Sequence, residues 1–146
     1  MPKGVLVVNT QCTDPARDEE FNRWYMHTHL VDLSKAKGFV RARRFRNVDP
    51  NSRFKYQVFY EFDSPNLQDS QDDLLRLAYE AYQKKRHIDC ISTFTHHEGE
   101  RPGGGGMWVE IDPREYRPLE KHDYSTTALP HIFDNIVKNL RAKGKL

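Results

Sequence analysis

The sequence predicts an α+β fold in which helices cover one face of a four-stranded antiparallel sheet. Two observations indicate this fold. Some apolar runs are short and repeat every second residue, whereas longer stretches repeat apolar residues at helical spacing. These elements follow the order strand, helix, strand, strand, helix, strand, and one more helix follows them. Two strand–helix–strand halves joined by a hairpin form the ferredoxin-like βαββαβ subunit, here with an extra C-terminal helix.

The first half of the chain predicts a strand, a helix and a second strand. Gly4 to Cys12 is a short, β-branched run typical of a buried strand. Asp14 followed by Pro15 predicts a helix start, because aspartate caps a helix and proline suits its first position. The helix is expected to end at about Lys37, where a glycine follows. Phe39 to Val48 then reads as the second strand.

The next elements are a third strand and a second helix. Arg53 to Asp63 alternates most cleanly and places aromatic residues on one face and polar residues on the other. Ser70 is expected to cap a helix that ends at the basic residues 84–86. From His87 to Gly106 the pattern dissolves, which predicts an irregular segment.

The last part of the chain supplies the fourth strand and the extra helix. Met107 to Asp112 is predicted as that strand, and Tyr116 to Leu119 either continues it or forms a short companion. Pro113 keeps this segment from the centre of a sheet, because proline lacks an amide donor. Pro130 opens an amphipathic helix. We therefore divide the chain into a domain of residues 1–120, with a glycine-rich connector at 101–106, and a C-terminal extension of residues 121–146.

Composition and charge narrow the functional classes. A chain of 146 residues with 37% apolar residues predicts one domain with a small core. A net charge of +2 gives no strong field for nucleic acid or for a membrane. Cys12 and Cys90 form neither a disulfide framework nor a CxxC motif, and no signal peptide is evident, so a reduced, cytoplasmic protein is expected. The small core and the uncovered sheet face predict a homodimer.

The segment FNRWYMHTHLVDLSKAKGFVRARRF carries a series of motifs. In order these are Phe21, Trp24-Tyr25, His29-Leu30-x-Asp32 and Gly38-Phe39. The series resembles the dimeric α+β barrel superfamily, in particular its EthD-like branch of small bacterial proteins, and the resemblance extends from Gly4 to Asp63. It implies a pair of ferredoxin-like subunits around a cavity. It leaves the activity open, because the superfamily includes lactone isomerases, polyketide cyclases, aldoxime dehydratases, heme-binding enzymes and quinol monooxygenases.

The catalytic candidates lie on the first helix. His29 follows Tyr25 by four residues and precedes Asp32 by three, so all three are expected on one helical surface. A carboxylate fixes an imidazole tautomer and raises its basicity, and a tyrosine donates a proton or orients a carbonyl. The resemblance matches His29 to the family's helix histidine. The alternative is a histidine that only bonds to backbone at the helix end.

The substrate-binding candidates follow from the polar side of the sheet. If that side faces the cavity, its polar groups would orient a substrate or its enolate; otherwise they are ordinary solvent-facing strand residues. The candidates on the sheet are Asn9, Gln11, Gln57, Phe59, Glu61 and Arg43, and the first helix adds Trp24.

The sequence also contains residue types that are used in nucleic-acid binding and in metal or heme binding. The arginines at 41, 43, 44 and 46 suggest RNA contact, but the near-neutral charge and the lack of an RNP-type motif argue against nucleic acid. His96, His97 and Glu98, with His87, Asp89 and Cys90 upstream, supply metal-donor types without a recognised tetrahedral spacing. We therefore expect no metal site. No CxxCH motif supports covalent heme, although heme ligation by a histidine stays open.

Three functions are compatible with this sequence. The first is a cofactor-independent lyase, isomerase or cyclase that uses His29 for acid–base chemistry on a hydrophobic carbonyl compound. The second is a monooxygenase of the same fold, either cofactor-free or heme-dependent. The third is a non-catalytic ligand-binding or stress-response protein.

Overall fold

The computed structural model describes residues 3–52, 54–95, 108–110, 113–125, 128 and 130–146. Within them one antiparallel sheet contains five strands. These are β1 (Lys3–Cys12), β2 (Phe39–Asn47), β3 (Tyr56–Asp63), β4 (Ile91–Thr95) and β5 (Trp108–Glu110).

Helices occupy four parts of the described chain. A 3-10 turn at Pro15–Arg17 leads into α1 (Asp18–Trp24), which continues through a π-helical turn (Tyr25–His29) into α2 (Leu30–Leu33). The other α-helices are α3 (Leu67–Gln83) and α4 (Ile132–Ala142), and a second 3-10 turn spans Pro113–Glu115. None of these helices is long and apolar enough to cross a bilayer.

The sheet confirms the predicted fold class. Its order is β4-β1-β3-β2-β5, and the first four strands in that order form the ferredoxin-like sheet. The predicted fourth strand is wrong in position, however. The strand that completes the subunit is Ile91–Thr95, whose β-branched residues fell in a segment without clear periodicity. Trp108–Glu110 pairs instead with the outer edge of β2, where the nearby Pro113 is tolerated.

Several predicted boundaries shift. The Asp14 carboxylate accepts the Ala16 amide at 3.0 Å, which confirms the cap at the first helix. That helical segment ends at Leu33, four residues before the expected end. The cap of α3 is Asn66, whose side chain accepts the Asp69 amide at 3.1 Å, so the prediction of Ser70 was wrong.

Other sequence predictions have different outcomes. The residues 116–119 form no strand. Arg53, the first residue of the predicted third strand, and the glycine-rich connector at 101–106 lie outside the described residues, as do Met107, Ile111 and Asp112. The division at residue 120 stays a prediction, and α4 packs against α3.

Gly38 permits the tight return from the helical segment into β2. Its φ is +71°, which side chains rarely adopt. A Cβ at this position would lie 2.6 Å from the Cβ of Ser64, so the close approach also requires glycine.

The core lies between the helices and one face of the sheet. Alternation along β3 turns Tyr56, Tyr60 and Phe62 toward the helices and Phe59 to the other face. The fully buried side chains include Phe21, Trp24, Tyr25, Tyr56, Tyr60 and Phe133. Phe133 of α4 contacts Tyr79 and Tyr82 of α3, with ring centroids 5.7 and 5.6 Å apart. The C-terminal helix is therefore part of the same packed layer.

Candidate functional site

A π-helical turn positions the first two residues of the site. Within it the Leu30 amide donates to the carbonyl of Tyr25, five residues earlier, so the turn is wider than α-helix. Tyr25 and His29 are both buried by this turn, and their ring centroids lie 4.8 Å apart. Single π-helical turns are frequent at functional sites.

A cavity of about 520 Å³ lies between the sheet, the π-helical turn, α3 and α4. Most of its wall is apolar, contributed by residues of β1, β4 and the two long helices. The apolar lining consists of Leu6, Val8, Leu33, Leu74, Leu75, Ala78, Ile91, Ile132, Phe133 and Ile136. Four buried titratable side chains also line it: Tyr25, His29, Tyr60 and His87. We call these four residues the acid–base cluster.

The two phenols of the acid–base cluster share a hydrogen bond. The Oη atoms of Tyr25 and Tyr60 lie 2.9 Å apart. Burial raises the pKa of Tyr25, and the Arg44 charge partly opposes that rise. Burial also raises the pKa of Tyr60 well above its usual value. Both side chains are therefore protonated near neutral pH and can donate hydrogen bonds.

A buried guanidinium lies behind Tyr25. The Cζ of Arg44 is 4.1 Å from the Tyr25 ring centroid and 5.0 Å from that of Tyr56. Arg44 is 1% exposed, and among the described residues none of its guanidinium nitrogens has a hydrogen-bond partner. Burial lowers its pKa, but arginine stays protonated in proteins. A positive charge without an acidic hydrogen-bond partner thus lies against the ring of Tyr25.

The two imidazoles of the acid–base cluster are neutral. Burial lowers the pKa of His29 well below its usual value, and His87 and Arg44 lower it further. Burial also lowers the pKa of His87 to about 4. Their ring centroids lie 5.3 Å apart, and the His29 ring stacks on Trp24 at 4.5 Å. Neutral histidines can accept protons.

Each imidazole has one buried nitrogen that finds no hydrogen-bond partner in the described part of the chain. In His87, Nδ1 lies 2.8 Å from the Ile88 carbonyl oxygen. Because a carbonyl only accepts, Nδ1 carries the proton and Nε2 is a free acceptor. In His29 the unpartnered atom is Nδ1. Buried polar atoms of this kind are uncommon, and they favour a bound polar group.

Only part of the predicted catalytic set is brought together. His29, Tyr25 and the substrate-binding candidate Trp24 contact one another. The Asp32 carboxylate instead pairs with Arg86, with Nε and Oδ2 3.1 Å apart. The structure gives Asp32 no hydrogen bond to His29, and both of its carboxylate oxygens accept from Arg86 instead.

The other substrate-binding candidates lie on the opposite face of the sheet. The strand register pairs Asn9 with Gln57 there, and Gln57 Nε2 donates to Asn9 Oδ1 at 3.1 Å. Alternation places Gln11, Phe59, Glu61 and Arg43 on that same face. Glu61 bonds to Arg41 and lies 3.9 Å from Arg43. The helix side of the sheet carries the acid–base cluster, so the structure does not bring these residues to it.

Three residues near the cavity escape sequence reasoning. Tyr60 belongs to the alternating aromatic residues of the third strand, which indicate packing against the helices and not a role in chemistry. Arg44 belongs to the basic cluster of the sequence, but the register pairs it with the core residue Val58 and so turns it toward the helices, whereas Arg43 lies on the other face. His87 was considered only as a metal donor. A histidine followed directly by the apolar Ile88 was the signal that could have indicated burial.

Among the residues that the structure describes, no group of three or more histidine, cysteine or acidic side chains could hold a metal ion. His96, His97 and Glu98 lie outside them. Asp89 pairs with Arg17, and Cys90 contacts Cys12. The described members of the predicted donor set therefore have other partners.

Comparisons with known proteins give limited likenesses. No family model matches the chain. Core atranone cluster (CAC) protein 1 of Stachybotrys chlorohalonatus is 38% identical over 58 residues, which are 39% of this chain and 25% of that protein. The matched part therefore spans a quarter of that relative. A crystal structure from Shewanella loihica PV-4, described as a "putative monooxygenase", gives a TM-score of 0.44 at 12% identity over 69% of this chain and 100% of that one.

Proposed function

We propose that this chain is a small-molecule enzyme that transfers a proton on a hydrophobic carbonyl compound, without a cofactor. The observation that carries this proposal is the convergence of four buried titratable groups on a cavity whose lining is mostly apolar. Apolar pockets with a few converging polar groups are typical small-molecule sites. Perturbed pKa values in such a pocket favour acid–base chemistry.

Three members of the acid–base cluster have a role in this proposal. In the Tyr25–Tyr60 hydrogen bond one phenol donates to the other, so one hydroxyl proton is left to donate to the carbonyl oxygen. His29, which is neutral, takes a proton from the adjacent carbon. The product of that step is an enolate, whose negative charge forms near the phenols. The Arg44 charge behind Tyr25 stabilises this charge through the ring. Lyases, isomerases and cyclases all use such an intermediate.

Deuterium incorporation tests the proton transfer without knowledge of the natural substrate. The probes are 1-tetralone, an aromatic δ-lactone and a cyclic 1,3-diketone in D₂O, and NMR measures exchange at the carbon next to the carbonyl. We expect the protein to accelerate exchange of at least one probe. In His29→Gln the catalysed exchange rate should fall by about 100-fold or more. His27→Gln is the matched control, because His27 points to the Tyr116 carbonyl instead of the cavity. Exchange no faster than in buffer for all three probes contradicts the proposal, and so does an unaffected His29→Gln protein.

The monooxygenase alternative uses the same first step. An enolate held beside Arg44 could react with O₂ instead of being reprotonated. Oxygen consumption on addition of 1-tetralone, together with no conversion of 1-tetralone under argon, would replace the lyase or isomerase assignment with a monooxygenase. A Soret band in the purified protein would indicate its heme-dependent form, for which a neutral imidazole is a suitable ligand type. Binding of the probes with neither exchange nor oxygen use would favour the non-catalytic alternative.

A second copy of the chain is the proposed partner. The sheet face opposite the helices exposes Val5 by 54%, and neighbouring Val40 is 58% exposed. That face also carries Phe59 and the ion pair between Arg41 and Glu61. A patch with both charges can pair with its own copy around a two-fold axis. Sedimentation equilibrium should give a dimer that Phe59→Lys dissociates, and a wild-type monomer at 50 μM, on the order of cellular concentrations, contradicts the proposal.

A further inference from the structure

The two cysteines, 78 positions apart in the sequence, meet in the fold. Cys12 is the last residue of β1, and Cys90 directly precedes β4. The two strands pair antiparallel, with Cys12 opposite Ile91. The sulfur atoms lie 3.1 Å apart. The Thr13 amide also donates to the Cys90 carbonyl at 3.1 Å, which fixes the two backbones beside the thiols.

The thiols differ in exposure. Cys12 is half-buried, whereas Cys90 is only 5% exposed. Burial raises the pKa of Cys90 to about 12, and its hydrogen bond with Cys12 raises it as well. The nearby Arg17 charge opposes that rise. An oxidant in solution therefore meets Cys12 first, and Cys90 is placed to complete the reaction.

The position of the pair connects it to the cavity. His87 lies three residues before Cys90, and Ile91 directly follows it; both line the cavity. A covalent link at Cys90 would thus tie this part of the wall to the end of β1. The proposed proton transfer does not use either thiol, so the two proposals can fail separately.

We propose that Cys12 and Cys90 form a reversible intramolecular disulfide that joins β1 to β4. With a small-molecule disulfide such as oxidised glutathione, the Cys12 thiolate attacks one glutathione sulfur and releases one glutathione thiolate. The Cys90 thiol then loses its proton, attacks the Cys12 sulfur of the mixed disulfide and releases the second glutathione. Two protein thiols are oxidised and one glutathione disulfide is reduced to two glutathione molecules, so atoms and electrons balance.

Mass spectrometry with thiol blocking tests the link. The reduced full-length protein is incubated with oxidised glutathione, unfolded in guanidinium and treated with N-ethylmaleimide. We expect a monomer whose mass is lower by about 2 Da, with no maleimide added and a peptide that joins Cys12 to Cys90. Dithiothreitol should restore two maleimide-reactive thiols. Two reactive thiols after oxidation, a glutathione adduct that persists on one cysteine, or a disulfide between chains would each overturn the proposal.

Thermal unfolding gives an independent readout. A bridge that closes a long loop restricts the unfolded chain, so oxidation should raise the Tm by roughly 10 °C. Cys12→Ser is the matched variant, because Cys12 is the more exposed of the pair and serine keeps the side chain small. This protein should have the Tm of the reduced wild type and show no rise with oxidised glutathione. An equal rise in Cys12→Ser would contradict the link.

Discussion

The Oη atoms of Tyr25 and Tyr60 lie 2.9 Å apart at the wall of an apolar cavity, although the two residues are 35 positions apart in sequence. The Arg44 guanidinium lies against the Tyr25 ring from the other side. This relationship joins three elements of the fold, because Tyr25 belongs to the π-helical turn, Tyr60 to β3 and Arg44 to β2. It gives the proposed chemistry its hydrogen-bond donor and its positive charge.

Removal of the Tyr60 hydroxyl should lower the deuterium exchange rate strongly and the free energy of unfolding only slightly. Tyr60→Phe keeps the ring and deletes one phenol of the pair, so unfolding in urea should become easier by only about 1 kcal/mol. Deuterium exchange should fall by about 100-fold, because one donor to the developing oxyanion is lost. Tyr82→Phe is the matched control, since Tyr82 packs in the same layer outside the cavity. Equal exchange rates in the two variants would exclude Tyr60 from the reaction.

Substitution of Arg44 should lower the exchange rate without lowering the free energy of unfolding. Arg44→Met removes a buried charge that lacks a hydrogen-bond partner and keeps an unbranched side chain, so the free energy of unfolding should stay the same or rise by about 1 kcal/mol. The exchange rate should fall, because the positive charge behind Tyr25 is gone. Urea unfolding and NMR exchange on the same protein measure both effects. A loss of stability above about 2 kcal/mol would instead give Arg44 a structural role.

The neutral histidines should make folding sensitive to acid. The pKa of His87 is about 4 in the folded protein and near 6.5 when unfolded, so the unfolded chain binds more protons between these values. Stability from His87 is therefore complete above pH 6.5 and is lost as pH falls toward 4, at about 1.4 kcal/mol per pH unit. His29, whose pKa is also lowered, adds to this loss. Urea unfolding between pH 7 and pH 4.5 measures this loss. In His87→Gln the free energy of unfolding should fall less steeply with falling pH than in the wild type, and an unchanged slope would contradict a buried, neutral His87.

Asp32 should be dispensable for exchange. Its carboxylate pairs with Arg86 and makes no hydrogen bond to His29, so Asp32→Asn should leave the exchange rate within about twofold of wild type. Stability should fall by no more than about 1 kcal/mol, as expected for a partly exposed ion pair. A loss of exchange as large as in His29→Gln would instead support the sequence prediction that the Asp32 carboxylate acts together with the His29 imidazole.

Local patterns predict much of the fold because they depend on neighbours in sequence. Alternation along β3 identifies both the strand and its helix-facing side, and Asp14 with Pro15 identifies a helix start. The segment Ile91–Thr95 is missed because five residues at a sheet edge give too short a pattern.

The candidate site is harder to predict, because its geometry depends on long-range register. His29, Tyr25 and Trp24 lie within one helical segment and are found together. Tyr60 joins them only because the π-helical turn packs against β3, which brings the Oη atoms of Tyr25 and Tyr60 to 2.9 Å, and no local motif encodes that packing. Helical spacing predicts Asp32 beside His29, but the Asp32 carboxylate pairs with Arg86, which lies 54 positions further along the chain.

Histidine-selective ¹⁵N NMR with 1-tetralone tests the central claim most directly, because it reports both the charge and the location of the site. The account predicts that His29 and His87 are neutral at pH 6 and that their ring signals shift on addition of 1-tetralone, while those of His27 and His122 do not. It also predicts a protonated Nδ1 in His87. Charged imidazoles at pH 6, or His29 and His87 signals that stay unshifted at a saturating concentration of 1-tetralone, would contradict it.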